Sequence, residues 1–120
     1  MAGDFLSKEE IFAMDDLKME TISILEWQGK KINIIELPAT ERDEFENWML
    51  SNKGDKKYEN FRARLCSLCI VNEEKKRIFT KDDIEQLGRK SASVLDKICN
   101  IAQRLSGMLQ EDVDKATKNL

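Results

Sequence analysis

Three cysteines come nearest to a chemical motif in this sequence. Cys66 and Cys69 stand in a C-x-x-C spacing, and Cys99 lies further along the chain. Such a pair can carry redox chemistry when it opens a helix after a strand, but here it falls inside a helical apolar pattern. The chain also has no histidine and no second cysteine pair, so a four-ligand zinc site is not expected. We predict reduced thiols, with Cys66 and Cys69 in or near the core, and neither a metal nor another cofactor.

Adjacent carboxylates are the other residues that could do chemistry. Asp82 with Asp83, and Glu111 with Asp112, could suggest acid–base catalysis or a cation site. Both pairs lie in the predicted first turns of helices, where acidic side chains complement the helix dipole, so a capping role is favoured. Without a histidine or a visible partner, no catalytic set can be assembled. We therefore predict that the protein is not an enzyme.

Composition and charge indicate a soluble globular protein. The chain has 120 residues, of which 41% are hydrophobic and 36% are charged. We expect one domain over residues 1–120, with residues 1–6 and 110–120 as frayed ends. Twenty Lys and Arg are interspersed with 23 Asp and Glu, giving a net charge of -3. This pattern does not favour a surface that binds the phosphates of nucleic acid.

The sequence also argues against a membrane protein. The longest apolar run, residues 65–71, is far shorter than the ~20 residues that cross a bilayer. Residues 1–5 lack the basic start and apolar stretch of a secretory signal, which favours a cytoplasmic location.

The only strongly β-patterned segment is a hairpin around Gly29. A two-residue loop at 28–29 would set isoleucines opposite polar residues, which is a poor match across strands. A three-residue loop at 27–29 instead places Gly29 where such loops need a left-handed residue. We predict this second register, with the pairs Ile24–Ile32, Ile22–Ile34, Ser23–Asn33 and Glu26–Lys30. The hairpin must then pack its isoleucine face on helices or join another strand, because an isolated hairpin is only marginally stable.

Capping residues and apolar spacing predict the helices. Ser7 and Glu10 have the spacing of a capping box that starts a helix at residues 8–14. Pro38 ends the hairpin, and Thr40 is expected to cap a helix that begins at Glu41. In that helix Phe45, Trp48 and Met49 share one face, which favours a place in the core. Further helices are predicted at residues 58–71, 81–87 and 91–106, and a weaker helix or polar tail at 109–120.

The predicted fold is therefore α+β and mainly α-helical. It has a short N-terminal helix and a two-stranded antiparallel β-hairpin packed on four to five helices. The helix at 91–106 is expected to be the most buried, because its apolar residues form one broad stripe. The helices at 81–87 and 91–106 could also form a helix-turn-helix that binds DNA. The second of these helices carries only Lys97 and Arg104 as basic residues, with Asp96 nearby, so this reading is not favoured.

Three apolar residues are candidates for binding a partner protein. Ile11 and Phe12 lie on the short N-terminal helix and need an apolar partner to stay ordered. Packing in the protein's own core is the commoner outcome for such residues, so we expect it here, with another protein as the alternative. Trp27, in the predicted hairpin loop, is the third candidate.

Several segments together resemble the small tail assembly chaperones of long-tailed bacteriophages and prophages. The segments are residues 7–11 (SKEEI), 26–30 (EWQGK), 35–43 (IELPATERD), 62–65 (RARL), 79–84 (FTKDDI) and 87–92 (LGRKSA). The resemblance spans nearly the whole chain. It implies a non-enzymatic protein that binds the tape-measure protein and helps to recruit the major tail protein.

The same resemblance implies a place and a time of action. Such a chaperone works in the cytoplasm of the bacterial host and is absent from the mature virion. It binds protein rather than nucleic acid or membrane, and self-association into a homo-oligomer is compatible with that role. The alternative is a bacterial or prophage regulatory adaptor that binds a different protein or a nucleic acid.

Overall fold

A computed structural model of the chain describes residues 3–51, 54 and 59–108. In chain order these residues form α1 (Lys8–Ala13), β1 (Met19–Ile24), β2 (Lys30–Ile35), α2 (Ala39–Ser51), α3 (Phe61–Cys69), β3 (Ile70–Val71), α4 (Ile84–Leu87) and α5 (Ala92–Leu105). The strands form one antiparallel sheet in the order β1-β2-β3. The predicted α+β, mainly helical class is confirmed, with three strands instead of the predicted two. Among the described residues, no helix is long and apolar enough to cross a bilayer.

The hairpin register differs from the predicted one. Ile24 pairs with Lys30, and Ile22 pairs with Ile32. The predicted pairing of Ile24 with Ile32 is therefore wrong, and the strands are shifted by two residues along their length. Side chains alternate between the faces of a strand, so a shift of two residues leaves each one on its predicted face. Ile24 and Ile34 are accordingly still fully buried.

The loop explains the shift. A 3₁₀ turn, Leu25–Trp27, follows β1 and leads into Gln28 and Gly29, which both have left-handed backbone. The Gly29 N–H closes this longer loop by donating to the Ile24 carbonyl at 2.9 Å. The prediction assumed the tightest loop that would pair isoleucine with isoleucine. The 3₁₀ turn instead lets Trp27 pack against the core.

The helix predicted at 81–87 is divided into a 3₁₀ turn, Lys81–Asp83, and α4. Boundaries of two other helices also differ from prediction. α2 begins at Ala39, so Thr40 lies inside the helix and is not its N-cap. The Pro38 carbonyl accepts from the Arg42 N–H at 2.9 Å, so the residue that flanks the start of α2 is Pro38.

The helix predicted to end at Val71 stops two residues earlier. Ile70 and Val71 form β3, pairing with Ile34 and Asn33 of β2. Tertiary pairing therefore overrides the helical spacing there. Tyr58 at the other end of that helix, and residues 109–120, lie outside the described residues.

The core lies where α3 is enclosed by other helices. α3 contacts α2, α4 and α5, and six of its nine residues are buried. The prediction that the helix at 91–106 is the most buried is wrong, since α5 buries five of its 14 residues and has an exposed outer face. Trp48 packs against the core cluster as predicted, next to the rings of Phe45 and Phe61.

α1 buries none of its residues. Ile11 is 54% exposed and Phe12 is 80% exposed, so the prediction that they pack in the core is wrong. The physical reason is that the core cluster is filled by side chains of α2 to α5 and the sheet, and it includes no residue of α1. The capping box of Ser7 and Glu10 is confirmed, and it sets the start of α1 without tertiary packing.

Candidate partner-binding surface

The N-terminal segment carries a cluster of exposed large apolar side chains. We call it the N-terminal apolar surface and define it as Phe5, Leu6, Ile11, Phe12 and Met14. These side chains are between 52% and 92% exposed. Single exposed apolar residues are ordinary, but five within ten positions are typical of a site that binds another protein.

Local hydrogen bonds hold α1 in its helical form. The Glu10 N–H donates to Ser7 Oγ at 3.1 Å, and the Ser7 N–H donates to Glu10 Oε1 at 2.9 Å. These bonds lower the pKa of the Glu10 carboxyl, first through the Ser7 backbone and then through its side chain. A helix of six residues is marginal without packing. α1 is therefore a short helix that is held by its own capping bonds and does not pack in the core.

Acidic residues border the N-terminal apolar surface. Glu9 and Glu10 lie in the first turn of α1, and Asp15 and Asp16 follow the helix. Asp15 forms an ion pair with Lys75 at 2.6 Å, which ties this segment to the turn after β3. An apolar surface with an acidic border can bind an apolar partner and still face water at its rim.

Trp27 lies at a different place, in a groove of about 400 Å³. We call it the Trp27 groove. Among the residues that the structure describes, the lining is formed by Trp27, Phe79, Asp83, Gln86, Leu87 and Lys90, and none of these belongs to α1. The Asp83 carboxylate is already engaged, because it accepts from the Thr80 N–H at 2.8 Å. The structure thus exposes Ile11 and Phe12 on α1 and places Trp27 in a separate groove.

Some residues of both surfaces were missed by sequence reasoning. Phe5 and Met14 flank α1, and their apolar character within an acidic segment is the signal that could have marked them. Phe79 and Leu87 join Trp27 only through the fold, because more than fifty positions separate them from it along the chain. No local pattern could have predicted that contact.

The cysteines are buried free thiols. Cys66 Sγ lies 3.8 Å from Cys99 Sγ, between α3 and α5. The contact with Cys99 and burial both raise the pKa of the Cys66 thiol, and burial raises the pKa of the Cys69 thiol. Protonated, enclosed thiols are poor nucleophiles. In the part of the chain that the structure describes, no group of three or more potential ligand side chains could hold a metal ion.

The basic side chains of α5 are paired with carboxylates. Lys97 lies 4.0 Å from Glu26. Arg104 forms an ion pair with Glu20. Their charge is thus compensated within the protein, which does not favour the reading of α4 and α5 as a DNA-binding pair.

Comparison with solved structures identifies a similar fold. The structure of the bacteriophage HK97 tail assembly chaperone matches with a TM-score of 0.61 and 16% sequence identity, covering 81% of this chain and 90% of that chain. No known protein family and no curated protein matches the sequence. Likeness at this identity concerns the fold, and at that level the predicted resemblance to tail assembly chaperones is confirmed.

Proposed function

We propose that this protein is a non-enzymatic tail assembly chaperone of a phage or prophage. It binds the tape-measure protein and helps to recruit the major tail protein in the cytoplasm of the bacterial host, and it does not remain in the mature virion. The observation that carries the proposal is the fold shared with the HK97 tail assembly chaperone over 81% of the chain. The exposed N-terminal apolar surface supports it independently.

The N-terminal apolar surface gives the proposed function a physical basis. A long partner that exposes apolar helices before assembly aggregates unless another protein binds and shields those helices. α1 presents Ile11 and Phe12 to solvent, 54% and 80% exposed, and can lay them against an apolar groove or helix of the partner. Docking on the partner would also stabilise this short helix.

Charge supports the same role. The chain has a net charge of -3, and acidic residues border the N-terminal apolar surface. A partner that is bound by such chains has a charged surface, which favours its solubility before assembly.

The Trp27 groove is the proposed second contact with a partner. The groove is lined by the apolar side chains of Trp27, Phe79 and Leu87, and Lys90 adds a positively charged side chain to this lining. Tryptophan in a pocket is a frequent hot spot of protein interfaces. A groove separate from α1 would let one chain hold two partner segments, as recruitment of a second tail protein requires.

Co-expression with the tape-measure protein tests the proposal. A double variant, Ile11→Ser with Phe12→Ser, should lose co-purification of the tape-measure protein. Leu50→Ser is the matched control, because Leu50 is a helical leucine that is 77% exposed but lies on α2. The control should retain the complex. Equal co-purification by both variants would show that the N-terminal apolar surface is not the binding site.

Gene order offers a second test that needs no protein. A tail assembly chaperone gene should lie between the gene for the major tail protein and a very long tape-measure gene. A neighbourhood without tail genes would favour the alternative role as a regulatory adaptor.

A further inference from the structure

Arg64 differs from the other half-buried arginines because its donors have no acceptor. Arg42 pairs with Glu46, and Arg77 donates from Nε to the Ser67 carbonyl at 3.2 Å. Among the described residues, no carboxylate or carbonyl accepts a hydrogen bond from the Arg64 side chain, and its Nε is fully buried. Buried donors without an acceptor are rare in native proteins. Arg64 is therefore a candidate for binding an acceptor that another molecule supplies.

Packing, rather than hydrogen bonding, holds the Arg64 guanidinium in place. Its central carbon, Cζ, lies 4.6 Å from the centroid of the Trp48 ring. Trp48 itself packs beside the rings of Phe45 and Phe61. A cation is attracted to the face of a tryptophan ring, and a planar guanidinium that is covered on one face still has its donors along the edge. The donors of Arg64 are therefore positioned before any acceptor binds.

An acceptor can reach Arg64 only at the outer end of the guanidinium. Nε is the one enclosed and unpaired side-chain nitrogen or oxygen among the described residues, so the two Nη groups are not enclosed. Arg64 as a whole is half-buried, which agrees with a side chain whose tip reaches the surface. Two Nη groups form a planar fork that a carboxylate can accept with both of its oxygens.

The charges around Arg64 leave one positive charge uncompensated. Burial lowers the pKa of the Arg64 guanidinium, and the negative charge of Glu44 opposes this effect only in part. Glu44 is shared with Arg77, whose Nη1 lies 4.0 Å from Glu44 Oε2. Two guanidinium groups therefore face a single carboxylate, and a ligand with one negative charge would balance them. We call Arg64, Trp48, Glu44 and Arg77 the Arg64 site.

We propose that the Arg64 site binds one carboxylate of a partner protein, supplied by an aspartate or glutamate side chain. Both carboxylate oxygens accept from the Nη groups of Arg64, while the Trp48 ring covers one face of the guanidinium. A bidentate pair of this kind is stronger than an ordinary exposed ion pair. Arginine and tryptophan are also enriched among the hot spots of protein interfaces. The inference rests on the proposed function only in taking the tape-measure protein as the partner.

A carboxylate fits the Arg64 site better than the phosphates of nucleic acid. Every nucleotide of a strand carries a negative charge, so phosphates next to the bound one would be repelled by the exposed Glu44 carboxylate. A protein segment can supply a single carboxylate among neutral neighbours. The net charge of -3 on this chain also disfavours an extended polyanion.

Side-chain NMR tests the Arg64 site without any tail protein. The Nε–Hε signals of Arg64 and Arg62 are assigned in isotope-labelled protein from the variants Arg64→Met and Arg62→Met. The probe is the peptide acetyl-AAEAA-amide, and the matched control is acetyl-AAQAA-amide, which lacks the carboxylate. The glutamate peptide should shift the Arg64 signal in a saturable manner, and the glutamine peptide should not. Arg62 already pairs with Asp96 and should respond to neither peptide.

The rate of release from the tape-measure protein tests the same site in a complex. Each variant is co-expressed with tagged tape-measure protein, the complex is immobilised, and the chain released during washing is measured. Arg64→Met keeps the length of the side chain but removes its donors, and it should be released about tenfold or more faster than wild type. Arg62→Met, the same change on the same helix, should stay within about twofold of wild type. Arg64→Lys keeps the charge without the fork and should fall between the two.

The two experiments separate this inference from the proposed function. A selective response to the glutamate peptide, without binding of wild type to the tape-measure protein, would support the Arg64 site and overturn the proposed function. Release of Arg64→Met as slow as that of Arg62→Met would overturn the Arg64 site alone.

Three results of the NMR experiment would also overturn the proposal. Equal shifts with the glutamate and glutamine peptides would exclude a carboxylate site. A larger shift with a single-stranded DNA oligonucleotide would assign the site to phosphate. Asp55 lies outside the described residues, and an Arg64 signal that moves in Asp55→Asn without any peptide would assign the carboxylate to this chain instead of a partner.

Discussion

Replacing Phe12 by alanine should leave the stability of the protein almost unchanged, whereas replacing Phe45 by alanine should destabilise the protein strongly. Full burial of a phenylalanine side chain contributes about 1.5–3 kcal/mol. Phe12 is 80% exposed, so folding removes only about a fifth of this residue from water, which contributes about 0.3–0.6 kcal/mol. Alanine is also the better helix former, which offsets part of this loss.

Phe45 is the matched comparison because it is an aromatic residue of a helix that is only 1% exposed. Its ring centroid lies 5.8 Å from that of Trp48 and 5.3 Å from that of Phe61. Truncation of such a core phenylalanine costs about 3–5 kcal/mol, which includes the cavity that it leaves. Phe45→Leu, which keeps part of the volume, should fall between the two alanine variants.

Urea unfolding followed by circular dichroism gives the free energy of unfolding of each variant. Wild type and Phe12→Ala should have the highest free energies of unfolding and should be nearly equal. Phe45→Leu should be less stable, and Phe45→Ala should be the least stable. A loss of more than about 2 kcal/mol for Phe12→Ala would mean that α1 packs on the core. That result would refute the argument that the N-terminal apolar surface is free to bind a partner.

Three further predictions concern the rest of the fold. Ser106→Ala should lower the free energy of unfolding in urea by about 1–3 kcal/mol, because the buried Leu37 N–H then loses its acceptor, Ser106 Oγ at 3.0 Å. A change within error would show that water replaces the hydroxyl. Thr80→Ala should lower the free energy of unfolding by about 1 kcal/mol and the melting temperature by about 4 °C, because it removes the capping box before α4. An unchanged melting temperature would contradict that role. In the native protein at pH 8, the three buried cysteines should react with a thiol reagent far more slowly than after unfolding in urea, because all three are enclosed and the pKa values of the Cys66 and Cys69 thiols are raised. Rapid labelling of the native protein would contradict this packing.

Most elements of this fold follow from local sequence, whereas β3 and the contacts between elements do not. The capping box of Ser7 and Glu10 predicts α1, because both hydrogen bonds lie within four residues. The alternation of isoleucines predicts which face of the hairpin is buried. The register was wrong because the 3₁₀ turn that contains Trp27 is stabilised by packing against the core, which no local pattern encodes.

The candidate site also combines features that the sequence predicts with contacts that it does not predict. Ile11 and Phe12 could be named from the sequence as an apolar pair on a short helix, but whether the core covers them depends on how the other helices fill it. The Trp27 groove needs Phe79 and Leu87, which the fold brings from a distant part of the chain. β3 was missed because Ile70 and Val71 fit the helical spacing before them, and only the neighbouring β2 strand makes them extended.

Binding of the purified wild-type chain to the purified tape-measure protein tests the proposed chaperone function. Size-exclusion chromatography with light scattering should show a stable complex of the two proteins across moderate salt concentrations, because apolar contacts of the N-terminal apolar surface are weakly screened by salt. The tape-measure protein alone should aggregate under the same conditions. Absence of a complex at every salt concentration would contradict the proposal that this protein is a tail assembly chaperone.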